Sequence, residues 1–300
     1  MNSVTNPDTN LVTNPATAPV TAVAGAVAAY RISLVAKAEP GQEVVLQLAV
    51  PQPVVAVREL ISPEKLLAEP GAAPGELTRI YVLEPGADLS MEGDWYKLVS
   101  PTCSSITLDP AMKDAQEPPA DLQVRSDRVL WRPDIALVVC NPDRLNEILV
   151  GVVYFSYFVK EVSRMERELS SSWAQVRQDM HLIHQVDDSA FAEQPRINER
   201  TRWSYGLRAD YARIEPFIDV VPNYVPANSR RIIQELSTHT EILARFKVID
   251  EQLEVFEDTY ELANDRILEY SNYRGEFKLE VIIIVVLIIE LAFMAAEFFL

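Results

Sequence analysis

The chain is short of the residues from which most catalytic and metal centres are built. Its 300 residues include only three histidines, two cysteines and nine glycines. There is no G-x-x-x-x-G-K-[ST] loop for phosphate, no G-x-G-x-x-G, no H-E-x-x-H and no G-x-S-x-G. Carboxylate pairs stay open as acid–base groups, because sequence alone never excludes them. Cys103 and Cys140 lack C-x-x-C spacing and a histidine neighbour, so a disulfide and a reducing compartment both fit them. Positive charge is scarce as well. Twenty-seven Lys and Arg face 44 Asp and Glu, a formal charge of −17. That field opposes non-specific binding to nucleic acid and to anionic headgroups. The first positive side chain is Arg31, so no basic stretch precedes the mildly apolar VTAVAGAVAAY, and a secretory leader or arginine-rich transit peptide is not expected.

One feature is abundant. Residues 281–300 read VIIIVVLIIELAFMAAEFFL. Twenty helical residues rise about 30 Å, the hydrocarbon thickness of a bilayer, and a helix satisfies its own backbone in lipid. This predicts a single-pass membrane protein with a C-terminal anchor at 279–300 and its body in the cytoplasm. Arg274 and Lys278 before the run agree with that orientation, while Glu276 and Glu280 dilute the signal. Glu290 would lie near mid-membrane and Glu297 seven residues on, on the same face, where carboxyls from neighbouring chains could exchange hydrogen bonds.

Residues 1–27 form a low-complexity tail containing the near-repeat VTNPDTN/LVTNPAT, expected to be disordered. From 28 to 140 the pattern is β-rich: AYRISLVAK, EVVLQLAV, LTRIYVLE, WYKLVS, RVLW and IALVVC carry β-branched and aromatic residues, some in alternation. Glu39-Pro40-Gly41, Glu69-Pro70-Gly71 and Glu84-Pro85-Gly86 suit type II turns, since Pro presets φ and Gly accepts a positive φ. ISPEKLLAE predicts a short helix with Ser62 as N-cap and Pro63 at its first position. The stretch 100–122 reads as a long exposed loop.

Helical spacing takes over after Pro142. A helical domain (141–227) holds one long helix from Leu145 to about Ile183, whose twelve-residue run ILVGVVYFSYFV is too short to span a bilayer and reads as buried core. His181 and His184 have ligand spacing, but no third His or clustered Cys joins them, so no metal is expected. Residues 196–221 form a shorter amphipathic segment carrying Arg196, Arg200, Arg202, Arg208 and Arg213 among aromatics. This basic patch suits RNA phosphates or an acidic partner, but pairing with Glu199, Asp210, Glu215 and the acidic neighbouring helices is the favoured account. From Arg230 a Pro-free helical pattern begins, with Asn228 or Ser229 as cap. It becomes a heptad at Phe246, Ile249, Leu253, Phe256, Tyr260, Ala263, Ile267 and Tyr270, the seam of a stalk over 228–278. A hairpin with the earlier long helix and an intermolecular coil both satisfy that seam.

The C-terminal third, NDRILEYSNYRGEFKLEVIIIVVLIIE, resembles the "required for meiotic nuclear division" family, whose members end in a charged coiled-coil helix, a Leu-Glu, an Ile-rich run and an intramembrane Glu. Leu279, Glu280, Val281 to Ile289 and Glu290 occupy those positions here. The resemblance implies a membrane-anchored, self-associating protein without enzymatic activity. It also implies RNA or the translation apparatus as a partner, since organellar members tether that apparatus at a membrane.

Together these readings predict an α+β protein with a β-rich domain, a helical and coiled-coil region, and one C-terminal transmembrane helix. Its expected role is a self-associating membrane scaffold or tether with no catalytic residue, cofactor or metal. The alternative is an accessory subunit of a larger membrane complex, packing its span through Glu290; an enzyme comes third. Expected partners are membrane lipid, further copies of the chain and proteins of a membrane complex.

Overall fold

A computed structural model describes residues 26–69, 72–84, 86, 87, 89, 119–184 and 188–299. Seven strands form one sheet: β1 (Ala26–Val35), β2 (Glu43–Leu48), β3 (Val54–Ile61), β4 (Glu76–Leu83), β5 (Ala120–Val124), β6 (Asp127–Arg132) and β7 (Ile135–Val139). Their spatial order is β2-β3-β1-β4-β7-β6-β5. All neighbours run antiparallel except β4 and β7, which are parallel. The helices are α1 (Pro63–Ala68), α2 (Leu145–Asp179), α3 (His181–His184), α4 (Asp188–Asp219), α5 (Ala227–His239) and α6 (Ile242–Phe299).

Alternation along the central strands explains why the sheet has two dry faces. Successive side chains point to opposite sides. Ile80, Trp131, Ala136 and Val138 therefore join the core beneath α2, whereas Tyr81, Leu130 and Leu137 join a smaller cluster with Leu66 of α1. Strand β4 is buried on both faces, and its second half, Ile80–Leu83, is the continuous apolar run such a strand calls for, while Glu76 and Thr78 are buried polar residues of its first half.

The run ILVGVVYFSYFV is buried at every position but the half-buried Val150, because α2 enters between the sheet on one side and α5 on the other. Gly151 makes that approach close. A Cβ there would sit 3.1 Å from the Ser229 carbonyl oxygen and 3.2 Å from Ile232 Cβ. Three polar atoms on this buried stretch find partners. Trp131 Nε1 donates to Ser156 Oγ at 2.9 Å, Tyr157 to the Val50 carbonyl at 2.9 Å, and Tyr154 to the Phe217 carbonyl at 2.9 Å.

Local readings hold in some places and shift in others. The turns at Glu39-Pro40-Gly41 and at Glu84 form, with Gly41 at φ 94° and Gly86 at φ 95°, closed by Gln42 N–H to Glu39 O and Ala87 N–H to Glu84 O, each 3.1 Å. The Glu69-Pro70-Gly71 turn and the strand WYKLVS lie outside the described residues. Helix α1 starts at Pro63, but the Ser62 hydroxyl makes no cap bond; its carbonyl accepts Leu66 N–H instead. Asn228 and Ser229 do not cap either. Helix α5 begins before them, after Pro226, and both side chains bond to Glu147 of α2. Strands β3 and β5 were not read from the sequence, and β5 takes the end of the expected 100–122 loop.

One expectation is overturned. Among the described residues no helix is long and apolar enough to cross a membrane. The predicted transmembrane helix at 279–300 is therefore corrected, and with it the single-pass membrane anchor and the membrane localisation. The physical reason lies in the charges. Between Glu280 and Glu290 the uninterrupted apolar run is Val281–Ile289, which rises only about 14 Å against the roughly 30 Å of a hydrocarbon core. Beyond Ala292 the only described side chain is Met294.

Candidate functional site

The helical half is built around the heptad face of α6. Phe246, Ile249, Leu253, Phe256, Tyr260, Ala263 and Ile267 are all buried within the chain, where α6 packs on α2 and α4. Phe256 meets Trp173 of α2 edge-on at 4.8 Å and Trp203 of α4 at 5.6 Å. Tyr211 of α4 stacks on Phe246 at 4.1 Å with an 8° interplanar angle. Tyr270, the last seam position, is half-buried. The structure thus fills the seam by folding the chain back on itself.

Charged groups lock the same three helices. Arg208 of α4 forks onto Glu257 of α6 (Nη2–Oε2 3.0 Å) and also pairs with Asp250. Its hydrogen bonds with Glu257 hold the guanidinium above its usual pKa. Arg164 of α2 reaches Asp210 of α4 at 2.9 Å, and Arg245 of α6 grips Glu166 of α2 at 2.6 Å. Asp179, 1 % exposed at the end of α2, accepts from Arg196 at 2.6 Å, from Gln175 at 3.0 Å and from Tyr260 at 3.3 Å. Burial, then the neighbouring Asp179, pushes the Tyr260 phenol up to about 12.

The expected basic patch is accordingly divided. Arg196 and Arg208 are spent on these internal pairs, Arg200 is half-buried with its charge acting on the Tyr260 phenol, and Arg202 and Arg213 stay exposed. No group of three metal-binding side chains occurs among the described residues, and the side chain of His184 lies outside them.

Past Ile267 the long helix leaves the body. Every described side chain from Asn272 to Ala292 is exposed, a projection of about 30 Å. Its outer part is apolar on all sides: Ile282 is 57 % exposed, Leu287 57 % and Leu291 65 %. A helix that is apolar all round ordinarily ends up buried, and exposed apolar patches of this size mark interaction sites. Glu290 sits in a shallow depression between Leu287, Ile288, Leu291, Ile284 and Met294. The side chain of Glu297 lies outside the described residues.

A second feature was not foreseen. The helix expected to run unbroken from Arg230 is interrupted at Thr240-Glu241, where Glu241 takes φ 48°. The Thr238 and Thr240 hydroxyls bond back to the carbonyls of Gln234 and Leu236, the kind of local competition that weakens a helix. The elbow borders a cleft of about 400 Å³ between α5, α6, α2 and the β5–β6 hairpin. Only the cluster of β-branched residues in STHTE hinted at it.

No family model matches the chain, and no curated protein matches it. Among solved structures, that of the full-length CmaX protein is similar at 13 % identity, over 86 % of this chain and 82 % of that one, with a TM-score of 0.35. At that score the likeness carries no argument about fold or role.

Proposed function

We propose that the chain is a non-catalytic, self-associating scaffold whose copies join through the projecting end of α6. One observation carries this reading: the run from Val281 to Leu291 is bare on every side, while the heptad face that precedes it is already occupied within the chain. Burying apolar surface yields about 25 cal/mol per Å², so several such helices gain more by bundling than by staying in water. Glu290 would fall inside that bundle, protonated or hydrogen-bonded to a carboxyl of a neighbour. The internal ion pairs support a stiff body that holds α6 in a fixed direction, as a scaffold requires.

The experiment is sedimentation of the full chain beside Ile284→Glu/Leu287→Glu. Self-association of the parent, lost in the double variant with unchanged helix content, is the expected result. A parent that sediments as a monomer, or a variant with the parent's mass, overturns it. Stoichiometric co-purification of a foreign protein that the double variant sheds would replace the reading with that of an accessory subunit.

A further inference from the structure

Helix α6 carries a second apolar line besides the heptad that the body covers. Val248, Val255, Leu262, Tyr273, Ile284 and Leu291 are all exposed, at steps of seven, seven, eleven, eleven and seven residues along one unbroken helix. At 3.6 residues per turn a step of seven drifts about 20° one way and a step of eleven about 20° back, so the six stay within about 20° of one line. That line is turned about 120° from the buried face that holds Phe256 and Ile267. Leu243 and Leu268 are exposed as well but lie far off it, as scattered surface residues do. The line runs from the body to the projecting end of α6. It is thus continuous with the surface through which copies join in the reading above, on which this inference rests.

The gap between Leu262 and Tyr273 is filled by one polar layer of opposite charges. Arg266 Nη1 meets Glu269 Oε2 at 2.9 Å, and both side chains are more than half exposed. Helical geometry puts Arg266 almost on the apolar line and Glu269 about 40° to one side of it. In a parallel pair related by a two-fold axis along the helices, each side of the contact line faces the opposite side of the neighbour. Arg266 of each copy then comes level with Glu269 of the other. The layer is self-complementary in that arrangement, and a single polar layer within an apolar seam is the usual device for fixing register. An antiparallel overlap of the ends would cover Val281–Leu291 but leave Val248, Val255 and Leu262 in water.

We propose that a second copy of the chain covers this line, parallel and in register. The interface extends from the projecting end back along the body as far as Val248. Same-numbered residues of the line meet across it, and Arg266 and Glu269 exchange ion pairs between copies. The formal charge of −17 on each copy opposes bodies lying side by side, and the apolar line and the reciprocal pairs act against that repulsion.

The test combines cross-linking and sedimentation of the full chain. In a Cys103→Ser background the remaining Cys140 is buried. Leu262→Cys should then oxidise with copper phenanthroline to a disulfide-linked dimer, which requires the two Cα atoms to approach within about 7 Å. Leu268→Cys, off the line, should stay unlinked. Val255→Glu/Leu262→Glu should weaken association about tenfold or more at unchanged helix content, because charges would be buried in the seam. Glu269→Arg places four cations in the polar layer and should weaken association too. Arg266→Glu/Glu269→Arg should regain it, a recovery that misfolding cannot mimic. A parent that sediments as a monomer overturns both this inference and the scaffold reading. If the parent associates and Ile284→Glu/Leu287→Glu dissociates it, the scaffold reading stands. An unlinked Leu262→Cys in that case, or stripe and charge variants with the parent's mass, overturns the parallel interface alone. So does a foreign protein shed by Val255→Glu/Leu262→Glu in place of a second copy.

Discussion

Truncating Phe256 to alanine tests whether the heptad seam is closed inside one chain. Phe256 is fully buried, wedged between Trp173 and Trp203, with Leu253 and Tyr260 buried one turn to either side. Phe→Ala in a core costs about 3–5 kcal/mol through lost transfer energy and the residual cavity. Each aromatic pair adds about 0.5–1.5 kcal/mol beyond area burial. Three rigid helices pinned by Arg208, Arg164 and Arg245 cannot collapse into the gap, so the upper part of that range, about 4–5 kcal/mol, is expected. Urea unfolding in the Ile284→Glu/Leu287→Glu background reads this without self-association. Near-ultraviolet dichroism follows the two tryptophans. The midpoint should fall sharply and stay independent of protein concentration. A loss below about 2 kcal/mol, or a midpoint that moves with concentration, would refute an intrachain seam.

Glycine replacements should divide by location. Gly151→Ala drives a methyl into the Ser229 backbone, which is tied to Glu147, and should destabilise in a thermal melt by about 1–2 kcal/mol net of helix propensity; Gly206→Ala meets nothing within 4 Å and should stabilise by about 0.8–1 kcal/mol. The Cys140 thiol, pushed up to about 11 mainly by burial, should resist iodoacetamide at pH 8 until the chain unfolds, as peptide mapping would show; prompt alkylation of the native chain contradicts this burial. Burial alone would raise the Glu76 carboxyl, but hydrogen bonds from Arg79 and the Ala73 N–H hold it below its usual 4.5. A depressed folded pKa stabilises above the unfolded value and is lost as the pH falls through the folded one. The stability gap between parent and Glu76→Gln should therefore be constant near neutrality and shrink below about pH 4.5; a gap that widens in acid would contradict the sign.

What was legible in the sequence follows from what is local. The Gly41 turn, the helix start at Pro63 and the strands with β-branched runs depend on residues a few positions apart. Strand β3 was missed because VVAVRELI carries two charges near its end, Arg58 and Glu59. The structure spends them on partners from elsewhere: Arg58 bonds Asn146 and Glu43, and Glu59 takes Arg31 at 3.0 Å. The parallel pairing of β4 with β7 has no local signature, since Arg79 and Ile135 are brought together only by tertiary packing. The helical cap at Asn228-Ser229 failed for the same reason. A long-range partner, Glu147, offered those side chains a better use than the helix end.

Periodicity states that a helix face will be covered, never by what. The heptad from Phe246 to Ile267 and the apolar run from Val281 to Leu291 look alike as unsatisfied surfaces in the sequence. In the folded chain they part: the first faces Trp173, Trp203 and Tyr211, and the second faces nothing among the described residues. Association between copies therefore has the second surface at its disposal and not the first. The two surfaces predict opposite phenotypes. A charge placed in the heptad must unfold the body, because Phe256 and Leu253 have no alternative environment. A charge placed at Ile284 or Leu287 must leave the body folded and remove only the partner. A variant at Leu253 that dissociated copies while keeping the fold would reverse the assignment and move the interface onto the heptad.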